Sequence, residues 1–144
     1  MQIFNQLNIN KGLVLALGFF DGIHLGHQAV LKSAVDYAKK NDLKSAVLTF
    51  KNSPACYFHH YEPKYLVQNR EKYIEDLEID FLYEIDFNSD LANMSAEDYL
   101  KDVLIKYFEP KAIFTGFNVI FFLRCYQQQA ARKLFLFSQK LKSD

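Results

Sequence analysis

What most constrains the fold of this chain is a pair of short apolar runs separated by one amphipathic stretch. Leu13-Val14-Leu15-Ala16-Leu17 is uninterrupted and stops at Gly18, the pattern of a strand buried on both faces of a parallel sheet. From His27 onward, Val30, Leu31, Ala34, Val35 and Ala38 recur at spacings of three and four, which gives a helix one apolar stripe to lay on a sheet. Lys39-Lys40-Asn41-Asp42 ends that helix in charged and turn-forming residues, and Ser45-Ala46-Val47-Leu48-Thr49-Phe50 reads as a second strand. Residues 13–50 therefore have the length and order of a right-handed strand, helix, strand crossover.

Two further rounds follow. Residues 69–78 carry a helical pattern through Tyr73, Ile74 and Leu77, and Phe81-Leu82-Tyr83 with Ile85 reads as a strand. Ser95-Ala96-Glu97-Asp98 resembles a capping box, and Leu100, Val103, Leu104 and Tyr107 supply the stripe of the helix behind it. Pro110 closes that helix, and Ala112-Ile113-Phe114-Thr115 runs as a fourth strand into Gly116. Alternation of this kind predicts an α/β fold: a Rossmann-like, doubly wound parallel sheet with helices on both faces. Ligands of such sheets lie beyond the carboxyl ends of the strands, which nominates residues 18–27, 50–54 and 116–118. Residues 52–65 form the one long loop.

With 144 residues, half of them hydrophobic, the chain has the size of one domain with one buried core. No apolar stretch approaches the ~20 residues needed to cross a bilayer, and residues 1–10 do not look like a secretory signal, so the expected location is cytoplasmic, with no membrane partner. Cys56 and Cys125 belong to no CxxC pair and read as reduced thiols. Residues 1–122 hold 12 Lys and Arg against 16 Asp and Glu, whereas residues 123–144 hold five basic residues against Asp144. That basic tail is expected to be a helix with a solvated face. No basic patch interleaved with aromatics appears in the body of the chain, so nucleic acid is not an expected partner. Oligomeric state is not legible.

The run Gly18-Phe19-Phe20-Asp21-Gly22-Ile23-His24-Leu25-Gly26-His27 lies between a buried strand and a helix start. Its glycines permit close backbone approach, and the first-turn amides of the helix with its dipole make an anion site. His24 and His27, three apart, can both project from the first turn toward one anion, and imidazole donates a hydrogen bond in either protonation state. Such a pair positions and neutralises phosphate oxygens in nucleotidyl transfer without a covalent intermediate. The alternatives are two histidines that merely cap and pack, or a metal pair. No third ligand stands at a suggestive spacing, and Cys56, His59 and His60 read as solvated loop side chains.

The HxGH pattern after a buried strand resembles the signature of the nucleotidyltransferase superfamily. The longer string from Leu17 through His27 resembles the adenylyltransferase domain of bacterial bifunctional riboflavin kinase/FMN adenylyltransferases, the FAD synthetases. Leu48-Thr49-Phe50 with Pro54, the stretch Leu91-Ala92-Asn93-Met94-Ser95-Ala96-Glu97-Asp98-Tyr99, and Gly116-Phe117-Asn118 resemble further family segments in the same order.

The resemblance implies substrates ATP and FMN, with His24 and His27 on the ATP phosphates and Gly18, Phe19, Phe20, Asp21 and Gly26 shaping the adenylate pocket. It places Ser53, Pro54 and Asn118 on the flavin side and implies Mg2+ with the triphosphate, with no residue identified as a metal ligand. The family's usual histidine in the TF-x-PHP segment is here Ser53, and Asn52 stands for the preceding proline. After Asn118 the family pattern of aromatics and glycine gives way to Val119-Ile120-Phe121-Phe122-Leu123-Arg124-Cys125. The expectation is an incomplete adenylyltransferase domain over residues 1–122, a divergent tail over 123–144, and no riboflavin kinase domain. Another small-molecule nucleotidyltransferase, or an inactive nucleotide-binding remnant, are the alternatives.

Overall fold

A computed structural model describes residues 1–20, 25–51 and 70–115. The strands are β1 (Gln2–Phe4), β2 (Val14–Leu17), β3 (Ser45–Phe50), β4 (Phe81–Ile85) and β5 (Ala112–Thr115), all parallel, in the spatial order β1-β4-β3-β2-β5. The helices are α1 (Leu25–Lys40), α2 (Arg70–Asp76), α3 (Ser89–Ala92), and a last helical run. That run comprises α4 (Ala96–Tyr99), a π-helical segment (Leu100–Ile105) and α5 (Lys106–Phe108).

Alternation along the strands divides the core into two layers. Val14, Ala16, Val47, Leu82, Ala112 and Phe114 face Leu31, Ala34, Val35 and Ala38 of α1 and Ile74 of α2. Leu15, Leu17, Ala46, Leu48, Tyr83, Ile85 and Ile113 face Leu100, Val103, Leu104 and Phe108. Helices thus cover both faces, and every β2 residue is buried because the strand is interior, flanked by β3 and β5. Ala34 and Ala38 are small enough to let α1 settle close to the sheet, with the Tyr37 and Phe114 rings 5.6 Å apart between them.

The helix start at Ser95 has the expected cap, its Oγ accepting from the Asp98 amide at 3.1 Å. Phe108, outside the expected stripe, is that run's fully buried aromatic, while Tyr107 is only partly buried.

One strand was not expected. β1 pairs with β4 at the sheet edge, and Phe4 stacks on Tyr83 with ring centroids 4.8 Å apart. Between β1 and β2 the chain passes Tyr83, whose hydroxyl donates to Asn8 Oδ1 at 2.6 Å and accepts from Asn10 Nδ2 at 3.2 Å. These bonds satisfy a polar group that would otherwise be costly to bury. The asparagines of the Asn8-Ile9-Asn10 segment, uninformative as sequence, are what allow a tyrosine there.

Candidate functional site at the strand carboxyl ends

The strand order reverses at β2: the chain moves outward from β2 to β3 to β4, then returns to pair β5 on the other side of β2. That reversal is a topological switch point, where the loops after neighbouring strands diverge and leave a crevice. β2 and β5 remain in register to their ends, Leu17 opposite Thr115, and the Thr115 hydroxyl donates to the Leu17 carbonyl at 3.2 Å. Gly18 is therefore the first residue beyond the paired ends of β2 and β5.

Of the residues singled out from the sequence, Gly18, Phe19, Phe20, Gly26 and His27 are described, and all five gather there. Asp21, Gly22, His24, Ser53, Pro54 and Asn118 lie outside the described residues, as do Cys56, His59, His60, the long loop and the 123–144 tail.

Gly18 continues the β2–β3 ladder, its amide reaching the Leu48 carbonyl at 3.5 Å. A Cβ at this position would stand 2.9 Å from Cζ of Phe20, so the glycine is required by close approach. Phe20 adopts a left-handed conformation, φ 53°, unusual for a bulky residue, and turns its ring into the core at 1% exposure. The ring then meets His27 edge-on, centroids 5.3 Å apart at 75°. His27 sits, half-buried, in the first turn of a 16-residue helix that carries no acidic side chain in that turn. The positive end of the helix dipole is thus undiminished by its own first turn.

A Gly18→Ala chain is expected to lose about 1–3 kcal/mol of stability, because Phe20 cannot retreat from its buried slot. Urea unfolding measures it, and an unchanged midpoint would mean that the loop has room.

The Phe19 carbonyl is held twice, by the Thr49 hydroxyl at 2.8 Å and by Arg70 Nη1 at 2.9 Å. Arg70 Nη2 reaches the Phe50 carbonyl at 3.1 Å and Glu84 Oε2 at 2.7 Å, and its guanidinium lies 5.4 Å from the centre of the Phe19 ring. Both partners of the Arg70–Glu84 ion pair are nearly buried, their side chains 13% and 11% exposed.

Sequence reasoning passed over both. The available signal was Glu84 itself, an acid inside an otherwise apolar strand.

Glu84 Oε1 is buried without a hydrogen-bond partner, and the Glu71 carboxyl lies close enough to bond to the Glu84 carboxylate when protonated. The hydrogen bond to Glu84 comes first in raising the Glu71 pKa above its ordinary 4.5, followed by desolvation and repulsion from Glu84, while Arg70 opposes them. A carboxyl with a raised pKa stabilises the fold fully below its ordinary value and loses that contribution as pH rises through the folded value. Glu71 is exposed, so the effect is expected to be at most about 0.5 kcal/mol. Glu71→Gln, which keeps a donor at all pH, should remove it, as unfolding at pH 4, 5 and 7 would show.

A cavity of about 480 Å³ is lined by Met1, Ile3, Arg70, Glu71, Lys72, Glu75 and Glu84. Its walls come from β1, α2 and β4 and not from β2 or β5, so it is not the switch-point crevice. Among the described residues no group of three His, Cys, Asp or Glu could hold a metal ion. No helix among them is long and apolar enough to cross a membrane.

The all-parallel sheet order, the reversal at β2 and the helices on both faces define a doubly wound α/β domain. The family model of FAD synthetase matches residues 6–133, and the chain belongs to that family. It is 35% identical over 117 residues to the bifunctional riboflavin kinase/FMN adenylyltransferase of Buchnera aphidicola, covering 79% of this chain and 38% of that one. The enzyme of the same name from Bacillus subtilis is 36% identical over 96 residues, 64% of this chain and 30% of the relative. The chain thus spans about a third of the length of the curated relatives it matches. A crystal structure described as a macrolide-efflux protein from Streptococcus pneumoniae superposes with a TM-score of 0.67 at 29% identity, covering 81% of this chain and 41% of that one.

Proposed function

We propose that this chain carries an FMN adenylyltransferase site, transferring AMP from ATP to FMN with release of pyrophosphate. The observation that carries the reading is the position of Gly18, Phe20 and His27 at the switch point, in a chain of the FAD synthetase family. A phosphate oxygen of FMN attacks the α phosphorus of ATP, that P–O bond forms, and the bond to the β phosphate breaks as pyrophosphate leaves. Negative charge builds on the phosphate oxygens in between. His27 and His24, with the first-turn amides of α1, stabilise that charge by hydrogen bonding.

Gly18, Phe19, Asp21 and Gly26 shape the adenylate pocket, and Phe20 shapes it from beneath through His27. Ser53, Pro54 and Asn118 take the flavin side. Mg2+ accompanies the triphosphate and offsets its charge. No residue is assigned as its ligand, and no step here depends on it.

The test is direct: the purified chain is given ATP, Mg2+ and FMN, and FAD and pyrophosphate are followed in parallel. Equimolar appearance of the two supports the reading. ATP binding by a folded chain without FAD would overturn it in favour of a nucleotide-binding unit.

A further inference from the structure

We propose that Arg70 is a positioning residue for the nucleotide loop, a role that rests on the reading of residues 18–27 as a nucleotide site. The loop after β2 has to hold a strained shape. Phe20 holds φ 53° with its own ring buried in the core and with the carbonyl of Phe19, just before it, tied down by two donors.

The Phe19 carbonyl accepts from Arg70 and Thr49 together, and the Phe19 ring lies under the guanidinium. The same guanidinium binds the last carbonyl of β3, at Phe50, and the Glu84 carboxylate on β4. One planar fork therefore ties the carboxyl-terminal parts of three strands, with a Glu84 oxygen as its third acceptor.

Lysine cannot do this. A single ammonium can neutralise Glu84, but it lacks the fixed divergent donors that reach two carbonyls and a carboxylate at once. The arrangement separates two roles for Arg70 that burial alone would confuse: counter-ion for Glu84, and clamp for Phe19. Only the clamp bears on the nucleotide.

Four chains distinguish them: wild type, Arg70→Lys, Glu84→Gln, and the double variant Arg70→Met with Glu84→Gln, which removes the buried charges together and so spares the fold an unpaired ion. Steady-state FAD formation with varied ATP is measured beside hydrogen–deuterium exchange of the peptide covering residues 17–20. Arg70→Lys and the double variant are expected to raise the KM for ATP about tenfold, the scale of one lost charge-assisted hydrogen bond, with kcat changed less than threefold. Both should speed exchange at residues 17–20. Glu84→Gln, which leaves an amide oxygen for the guanidinium, should stay within about threefold of wild type on KM.

Equal losses in Glu84→Gln and Arg70→Lys, or an unchanged KM and unchanged exchange in Arg70→Lys, would overturn the clamp. A wild-type chain that neither binds ATP nor makes FAD would refute the nucleotide reading. The exchange comparison would still decide whether Arg70 holds Phe19.

Discussion

Replacing His27 with alanine is expected to lower the rate of FAD formation by about 100-fold or more while leaving the fold intact. The imidazole lies in the first turn of α1, half-buried, and on the proposed reading its donor toward a phosphate oxygen would act in a field already made positive by the helix. Removing a donor that matters mainly as charge develops costs kcat more than KM. Since His27 is not among the fully buried core side chains, its loss should lower the unfolding free energy by less than about 1 kcal/mol. A His27→Ala chain with wild-type kcat would remove His27 from the chemistry and leave it as packing for Phe20.

Phe20→Ala is the complementary experiment, with a large effect on stability first. The ring is 1% exposed and belongs to the core layer between the sheet and α1. Its truncation is expected to cost about 3–5 kcal/mol, a large share of the 5–15 kcal/mol that a domain of this kind has. His27 loses its edge-on support in the same step, so FAD formation should fall further than the unfolded fraction explains. Chemical denaturation and turnover at a temperature where the variant is still folded separate the two. A destabilisation under 1 kcal/mol would mean that the neighbours collapse into the space, and the support argument would fail with it.

The legible parts of this protein were those where periodicity and burial coincide. The run Ser45-Ala46-Val47-Leu48-Thr49-Phe50 is β3 residue for residue, and the stripe Leu31, Ala34, Val35, Ala38 is the buried face of α1. Gly18 stands out as a stop after a strand, and the histidine three residues into the next pattern follows from it. β1 was not legible because Gln2-Ile3-Phe4 has no pattern of its own; its conformation comes from the edge of β4, 79 residues away at Gln2↔Phe81. Arg70 and Glu84 escaped for the same kind of reason. Glu84 stands out only as an acid in an apolar strand, and Arg70 looks like an ordinary surface charge until α2 packs beside β4 and both are withdrawn from water.

The place of β1 bears on the order in which the chain can assemble. Strands β2 and β3 with α1 between them are complete once residue 50 has been made, and they pair only with each other and with later strands. β1 has no neighbour until β4 exists, so a strand that precedes β2 in the chain enters the sheet after it. The Tyr83 hydroxyl, waiting for Asn8 and Asn10, is then a natural reporter of that late event. Its bonds should form after the protection of β2 and β3 amides in a pulse-labelling experiment, and a nascent chain stopped before residue 81 should leave residues 1–10 open to protease.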